Sequence, residues 1–390
     1  MQGNEAHRHA SQETTSTRPA DILIGGFGSQ GGGDCLGIDW IRASYPENTE
    51  HSDSVGLEHR GLLAELPSPT WLLVEDSVVY APLEFNNEVV ALKVSKSGEG
   101  LHLEPLSRVS VQGDTPTHLA VSHDASGKAH LLVACYGDGN VCVLPLESDG
   151  SIGEHGQVLT NEGHGPLPAQ ECPHAHWILP LPDGRILSTD LGADRIHVHQ
   201  WEDDRLRRTS SIVCAPGTGP RDMHLLPSAP GQEQGWRVAV VDEWSRTVDV
   251  YAPQADAANG FTHTQRVELD ADAKDQAASL AFVSDAALAG AQAPSAEAPS
   301  PSTTEGYCYV GLRGSDRIIR LRWDGERLAE VGGFSSGGGR PRHIKAIGNS
   351  LFVANQTTGK LSTFTLSPDG EATPGTEIIV GSPTAVAPLY

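Results

Sequence analysis

Six short stretches of the chain repeat one pattern. They are VVYAPLEFNNEVVALKV (78–94), LLVACYGDGNVCVLPL (131–146), ILSTDLGADRIHVHQW (186–201), VAVVDEWSRTVDVYAP (238–253), CYVGLRGSDRIIRLRW (308–323) and LFVANQTTGKLSTFTL (351–366). Each is a β-rich run, a polar turn and a second run in which apolar and polar residues alternate, which reads as a β-hairpin. Upstream of the hairpins lies a further strand that begins near a proline: Pro69, Pro116, Pro173, Pro220, Pro341 and Pro383, with Ala277 standing in for proline in the fifth repeat. A fourth run follows the hairpin, as in LHLEPLSRVSV (101–111) and RLAEVGGFS (327–335). The anchors are 42 to 64 residues apart. Their mean, about 52, suits the four-stranded blade of a β-propeller.

The seventh anchor, Pro383, leaves room for one strand before Tyr390. The N-terminus supplies the missing three: ADILIGGFGS (20–29), CLGIDWIRA (35–43) and HRGLLAEL (59–66). The expectation is an all-β, seven-bladed propeller forming a single domain over 20–390, closed by pairing the last strand with the first three. Closure removes the sheet edges that otherwise aggregate. Residues 1–19 are polar and expected to be disordered, 44–58 read as a surface loop, and the Ala/Pro/Ser-rich 285–306 as a flexible insertion.

Composition narrows the function classes. The 390 residues carry 50 acids against 27 bases, a formal charge of −23, which argues against nucleic acid or an anionic membrane as partner. No apolar run reaches the length of a membrane span, and the first residues lack the apolar segment of a secretory signal. The 43 Gly and 26 Pro favour turns over long helices. Cys35, Cys135, Cys142, Cys172, Cys214 and Cys308 are scattered without a CxxC pair, so reduced thiols in a cytoplasmic protein are expected.

In a propeller the innermost strands line a channel, and the loops at one end form its mouth. Polar residues are unusually dense at both places. First strands supply His118, His174, His176, Arg221, Arg342 and His343; second-strand ends supply Glu84, Tyr136, Glu243, Arg313, Asn355 and Gln356. Arginine forks suit carboxylate or phosphate, so their presence in so acidic a chain suggests a local anion site.

The ordered motifs CPHAH (172–176), GPR (219–221), VVDE (240–243), VGLR (310–313), RPRH (340–343) and VANQ (353–356), with THLAV (117–121) and ACYGDGNVCV (134–143), resemble the lactonase family of seven-bladed propellers. That family includes bacterial-type 6-phosphogluconolactonases and fungal carboxymuconate-lactonizing enzymes. The resemblance covers roughly 65–370 and implies a catalytic constellation on His174, Arg221, Glu243 and Arg313. His118, Tyr136, His176, Arg342, His343, Gln356 and Glu84 are then expected to bind substrate. The chain departs from the family where GPRH becomes GPRD (Asp222), AAEI becomes AASL (Ser279), and the NE and NR dipeptides become Asp242-Glu243 and Leu312-Arg313.

The reading is a metal-independent, cofactor-free enzyme of carbohydrate metabolism that hydrolyses a small anionic lactone of the 6-phosphogluconolactone type. Histidine and glutamate would activate water, and arginines would stabilise the oxyanion. Two alternatives stay open: a carboxymuconate cycloisomerase using the same residues, and a non-catalytic propeller that binds a partner. Cys172, His174 and His176 also permit a metal-site reading, although structural zinc sites ordinarily use four ligands with CxxC-type spacing. His197 and His199 read as surface or packing, Glu243 and Arg313 also as an ion pair, and Trp71, Trp177, Trp236 and Trp323 as blade packing. The oligomeric state is not legible.

Overall fold

The alternating runs resolve into seven four-stranded antiparallel sheets. The computed structural model describes residues 17–46, 54–98, 100–228, 235–290 and 302–389. Six sheets are formed by consecutive strands, and the seventh has the order last strand, first, second, third. In that closing sheet Pro383–Leu389 pairs with Thr17–Gly26, with Ile24 opposite Val386. The all-β seven-bladed propeller, its six hairpins and its closure are as the repeat predicts.

The apolar residues form seven cores among the described residues, each between two neighbouring blades. The second strand of blade four, Trp236–Asp242, shows why its sequence is apolar throughout. Val238 and Val240 face the core shared with blade three, while Ala239 and Val241 face that shared with blade five. Both faces of such a strand are dry, so strict alternation is lost. The hairpin turns close through a left-handed residue at one recurring place: Asn87, Gly139, Asp194, Arg246, Asp316 and Gly359. Asn87, Asp194 and Asp316 then use their side chains to accept the N–H of Thr115, Gly219 and Arg340 at the start of the next blade.

Every innermost strand carries one extra residue relative to its partner. In blade four Pro220 pairs with Asp242 but Asp222 with Val241, and the other six repeat this offset. A bulge turns two successive side chains to the same side and frees a backbone N–H from the ladder. Four of the freed groups are taken up by the preceding blade. Ile178 donates to His118 Nδ1 (3.2 Å), Leu280 to Asp222 Oδ2 (3.3 Å), Ile344 to Ser279 Oγ (3.3 Å) and Val386 to His343 Nδ1 (3.0 Å). The departures at Asp222 and Ser279 thereby acquire a physical meaning. Imidazole nitrogen, carboxylate and hydroxyl are interchangeable here because each is an acceptor.

Several expectations need correction. In blade three the residue that starts the bulge is Ala175, opposite Asp190, and not Pro173. The register therefore moves by two, and His176, not His174, is the counterpart of Arg221 and Arg342. The innermost strand of blade one is regular only over Leu73–Glu75, preceded by a Pro69–Leu83 bridge. The 44–58 loop is shorter than expected, because strands run through Gly37–Pro46 and Gly56–Glu65 and Val55 is buried against the core of blades six and seven. The first strand begins at Thr17, inside the segment read as a tail, whose residues 1–16 lie outside the described residues. Asp285–Leu288 forms a helical turn capped by Ser284, and 291–301 of the insertion lie outside the described residues. Of the two readings for His197 and His199, surface or packing, the packing one holds: both are buried, on Ser211 and Ser188. Among the described residues all six cysteines are free thiols, and no helix is long and apolar enough to cross a membrane.

Ser279→Ala removes the acceptor for the buried Ile344 N–H and leaves the core untouched. Urea denaturation is expected to show a loss of about 1–3 kcal/mol, the usual penalty for stranding a buried donor. A loss within error of zero would mean that this contact is dispensable.

Candidate active site

One backbone hydrogen bond sets the rim of the channel in all seven blades. The residue after the second strand donates its N–H to the residue preceding the bulge: Phe27 to Ser382, Glu84 to Ser68, Tyr136 to Thr115, Leu191 to His174, Glu243 to Gly219, Arg313 to Gln276 and Gln356 to Arg340. These seven bonds place Glu84, Tyr136, Glu243, Arg313 and Gln356 at one level around one opening. The bulge residues follow beneath them, and a pocket there is lined by Glu84, His118, His176, Arg221, Arg342 and His343, among others.

Glu243 lies at the centre of the charged group. Its Oε2 is 2.6 Å from Arg313 and 3.1 Å from Arg221, and its Oε1 accepts from Gln276 Nε2 at 3.0 Å. Arg340 in turn donates to Gln276 Oε1 (3.4 Å). Glu243, Arg221 and Arg313 are all buried. Burial alone would raise the Glu243 carboxyl, but Arg313, Arg221 and Arg342 outweigh it and hold it below the ordinary carboxylate value. Burial, then the neighbouring Arg313, brings the Arg221 guanidinium down to about 10; burial, then Arg313 and Arg221, brings Arg342 down to about 9. Both remain cations at neutral pH, crowded and partly stripped of water. Arg342 also lies over the Phe27 ring at 4.8 Å and donates to Gln356 Oε1 at 3.4 Å.

His174 is connected to this group through Tyr136, which feels the charge of Glu243, and its ring is fixed on two sides. Tyr136 stacks on it at 4.3 Å with 11° between planes. His174 Nδ1 is 2.6 Å from the Tyr136 carbonyl oxygen. A carbonyl only accepts, so Nδ1 carries a proton, and in the neutral ring Nε2 keeps its lone pair. Cys172 Sγ lies 4.0 Å from that Nε2. Burial and the charge of Glu243 push the Tyr136 phenol up to about 12, so it stays protonated. His176 meets Tyr136 edge-on at 6.2 Å. Burial also raises the Glu84 carboxyl, against the lowering effect of Arg342.

The expected residues therefore assemble at one end of one channel, on two levels. Asn355 is an exception: its amide is tied into its own hairpin, on Ser336 and Ser362. Gln276 and Arg340 were not among the sequence candidates. Both precede a bulge, as His174 does; Arg340 lies within the RPRH motif, of which only the third and fourth residues are candidates, and equal spacing from the anchors would have found both. Trp177 belongs to the core of blades three and four and Trp71 packs against it, and the two also meet edge-to-face at 4.9 Å in the wall of the central pocket; Trp236 and Trp323 pack in inter-blade cores. Among the described residues no three His, Cys, Asp or Glu side chains converge to hold a metal ion.

Comparison with known proteins agrees with this architecture. A family model described as lactonase, 7-bladed beta-propeller, matches residues 47–388. The chain is 29% identical over 182 residues to the 6-phosphogluconolactonase of Bacillus subtilis (strain 168), an alignment covering 45% of this chain and 50% of that protein. Thus the chain spans about half the length of that relative. It is 27% identical over 342 residues to an uncharacterized protein of Staphylococcus aureus (strain bovine RF122 / ET3-1), covering 81% of this chain and 90% of the other. Among solved structures, the Pseudomonas aeruginosa periplasmic gluconolactonase PpgL has a TM-score of 0.76 at 23% identity, covering 96% of this chain and 99% of that one. A Lactobacillus plantarum protein has a TM-score of 0.76 at 22% identity, covering 96% and 100%. At these identities the two structures establish a shared fold.

Glu243→Gln removes the one carboxylate shared by Arg221 and Arg313, and should lower stability at neutral pH by about 3–5 kcal/mol. The carboxyl is held below its unfolded value, so its contribution is complete above that value and lost as pH falls through the folded one. Denaturation curves for both proteins from neutral to about pH 3 should therefore converge with acidification. A gap independent of pH would mean that the loss is one of packing and not of charge.

Proposed function

The chain belongs to the lactonase family of seven-bladed β-propellers, and from that premise we propose that it hydrolyses the ring ester of a small anionic sugar lactone, of the 6-phosphogluconolactone type. The observation that carries this reading is the state of His174. Its Nδ1 proton is committed to the Tyr136 carbonyl, its ring is held by the Tyr136 stack, and in the neutral ring its Nε2 keeps a lone pair whose one described contact is the weak donor Cys172 Sγ at 4.0 Å.

In this reading His174 Nε2 takes a proton from water as the oxygen attacks the lactone carbonyl. The carbonyl oxygen gains negative charge, which guanidinium groups stabilise. The ring C–O bond then breaks, and the proton returns from Nε2 to the departing ring oxygen, giving a hydroxy acid. Glu243 is assigned a different role from the acid–base one its residue type suggests. Both of its oxygens are engaged and its pKa is lowered, so it positions Arg221 and Arg313 and is a poor proton acceptor. Gln276 holds the remaining carboxylate oxygen and keeps Oε2 turned to the arginines. Arg342, Gln356 and Arg340 offer further contacts for an anionic substituent.

Freshly prepared 6-phosphogluconolactone should be turned over in the presence of EDTA. His174→Ala should lower kcat by about 10²–10⁴ and Arg313→Ala by about 10²–10³. Turnover unchanged in folded variants would place the site elsewhere. Turnover of carboxymuconolactone alone would favour the cycloisomerase, and no turnover of either lactone would favour a binding platform.

A further inference from the structure

His174 is held differently from Thr115, Gly219 and Arg340, which precede the bulges of blades two, four and six. In those blades the N–H at this place is accepted by the left-handed turn residue of the preceding blade: Asn87, Asp194 and Asp316 respectively. For His174 the corresponding turn residue is Gly139, which has no side chain to offer. Nor is there room for one, because a Cβ on Gly139 would collide with Pro173. The strand entry of blade three passes over the turn, where the tether of the other blades would stand.

The tether comes instead from within blade three. Asp190, at the end of the second strand, accepts the His174 N–H on Oδ1 at 2.9 Å and the Ala193 N–H on the same oxygen at 2.9 Å. Leu191 donates its N–H to the His174 carbonyl at 2.9 Å. Gly192 follows, and a Cβ there would collide with the Cys172 carbonyl oxygen and come within 2.8 Å of His174 Cδ2. The turn 190–193 therefore grips both backbone polar groups of His174 and lies against the edge of its ring. The Asp190 carboxylate is fully buried. Its Oδ2 has no hydrogen bond among the described residues and faces the buried His197 Nε2 at 3.5 Å. His197 is itself anchored through Nδ1, 2.8 Å from Ser211 Oγ. Oδ1 is left to the two amides.

This grip bears on the ring. The carbonyl that holds His174 Nδ1 and the phenol that stacks on it both belong to Tyr136 of blade two, whereas the His174 backbone belongs to blade three. Asp190 fixes that backbone at the height where the ring meets the carbonyl. An imidazole released from such a contact can carry its proton on either nitrogen. We propose that Asp190 is a positioning residue for His174: its buried carboxylate replaces the tether that Gly139 cannot give, and so keeps Nε2 as the nitrogen able to take a proton. The consequence for catalysis rests on the lactonase reading; the grip on His174 does not.

The test uses the full chain carrying nitrogen-labelled histidine, wild type beside Asp190→Ala and Asp190→Asn, each checked for folding by circular dichroism. Ring nitrogens are observed by NMR at about pH 8.5, where an ordinary histidine is neutral, and the His174 signals are identified by their loss in His174→Ala. Wild type is expected to carry the His174 proton on Nδ1. Asp190→Ala is expected to show both tautomers in exchange, with kcat for the lactone lowered about 10- to 100-fold, the scale of a misplaced group, at unchanged KM. Asp190→Asn keeps an oxygen for the two amides, and asparagine suits the place, since Asn355 holds it in blade six. It should restore the Nδ1–H tautomer and bring kcat to within about threefold of wild type. A merely structural role would lower stability without moving the tautomer. Wild-type His174 protonated on Nε2, unchanged His174 signals in folded Asp190→Ala, or loss of the Nδ1–H tautomer in folded Asp190→Asn would each overturn the proposal. The first and last of these need no folded Asp190→Ala. Asp190-dependent His174 signals without any lactone turnover would overturn the lactonase reading and leave the grip standing. Turnover that needs His174 but not Asp190 would keep that reading and overturn the positioning role.

Discussion

A β-bulge in an innermost strand leaves one backbone N–H without a partner in its own sheet, and in a buried channel that group must be satisfied by something else. Here the something else is often a side chain of the preceding blade. His118, Asp222, Ser279 and His343 each stand at the same position of their own bulge and accept the freed N–H of the next. The same distortion that links the blades also turns two consecutive side chains toward the axis. Structure and site are therefore coupled: the blade-six bulge that needs the Ser279 acceptor also carries Arg342, and the blade-four bulge carries both Arg221 and the acceptor Asp222. Thr384, the bulge residue of the closing blade, makes a related link by donating to the Thr70 carbonyl.

This coupling explains how a chain with a net charge of −23 concentrates cations at its centre. Buried guanidiniums are tolerable only with acceptors at hand. Glu243 supplies two of them with one carboxylate oxygen, and the Ala278 carbonyl accepts from Arg221 at 3.0 Å. The rest of the pocket is mixed, with the Glu84 and Asp222 carboxylates beside His118, His176 and His343. His118 and His343 each accept a backbone N–H at Nδ1, so in the neutral ring the proton sits on Nε2.

How much of this was legible depended on whether the signal was local. The hairpins, the proline-led strands and the shared closing blade could be read because alternation and turn chemistry are local properties. The site residues could be found because equal offsets from repeated anchors land on equal levels of a propeller. Blade three was misaligned by two residues because Pro173 resembles the other anchors, while the ladder places Ala175 at the bulge. Proline marks a strand start through its fixed backbone angle, but register follows from pairing with the neighbouring strand, which a single segment does not reveal. Gln276 escaped notice for a similar reason, since its importance lies in its contact with Glu243, thirty-three positions away.

The sequence by itself determined the blade count, the closure and most of the polar residues that reach the channel, because these follow from periodicity and spacing. Only the tertiary structure decided what each polar group is free to do. Glu243 differs from an available base because Arg221, Arg313 and Gln276 occupy its oxygens, and His174 has an available Nε2 because a carbonyl from the adjacent blade holds its other nitrogen. Residue type sets which protons a side chain can carry. Neighbours brought together from different blades set which of them are already engaged, and therefore which remain for chemistry.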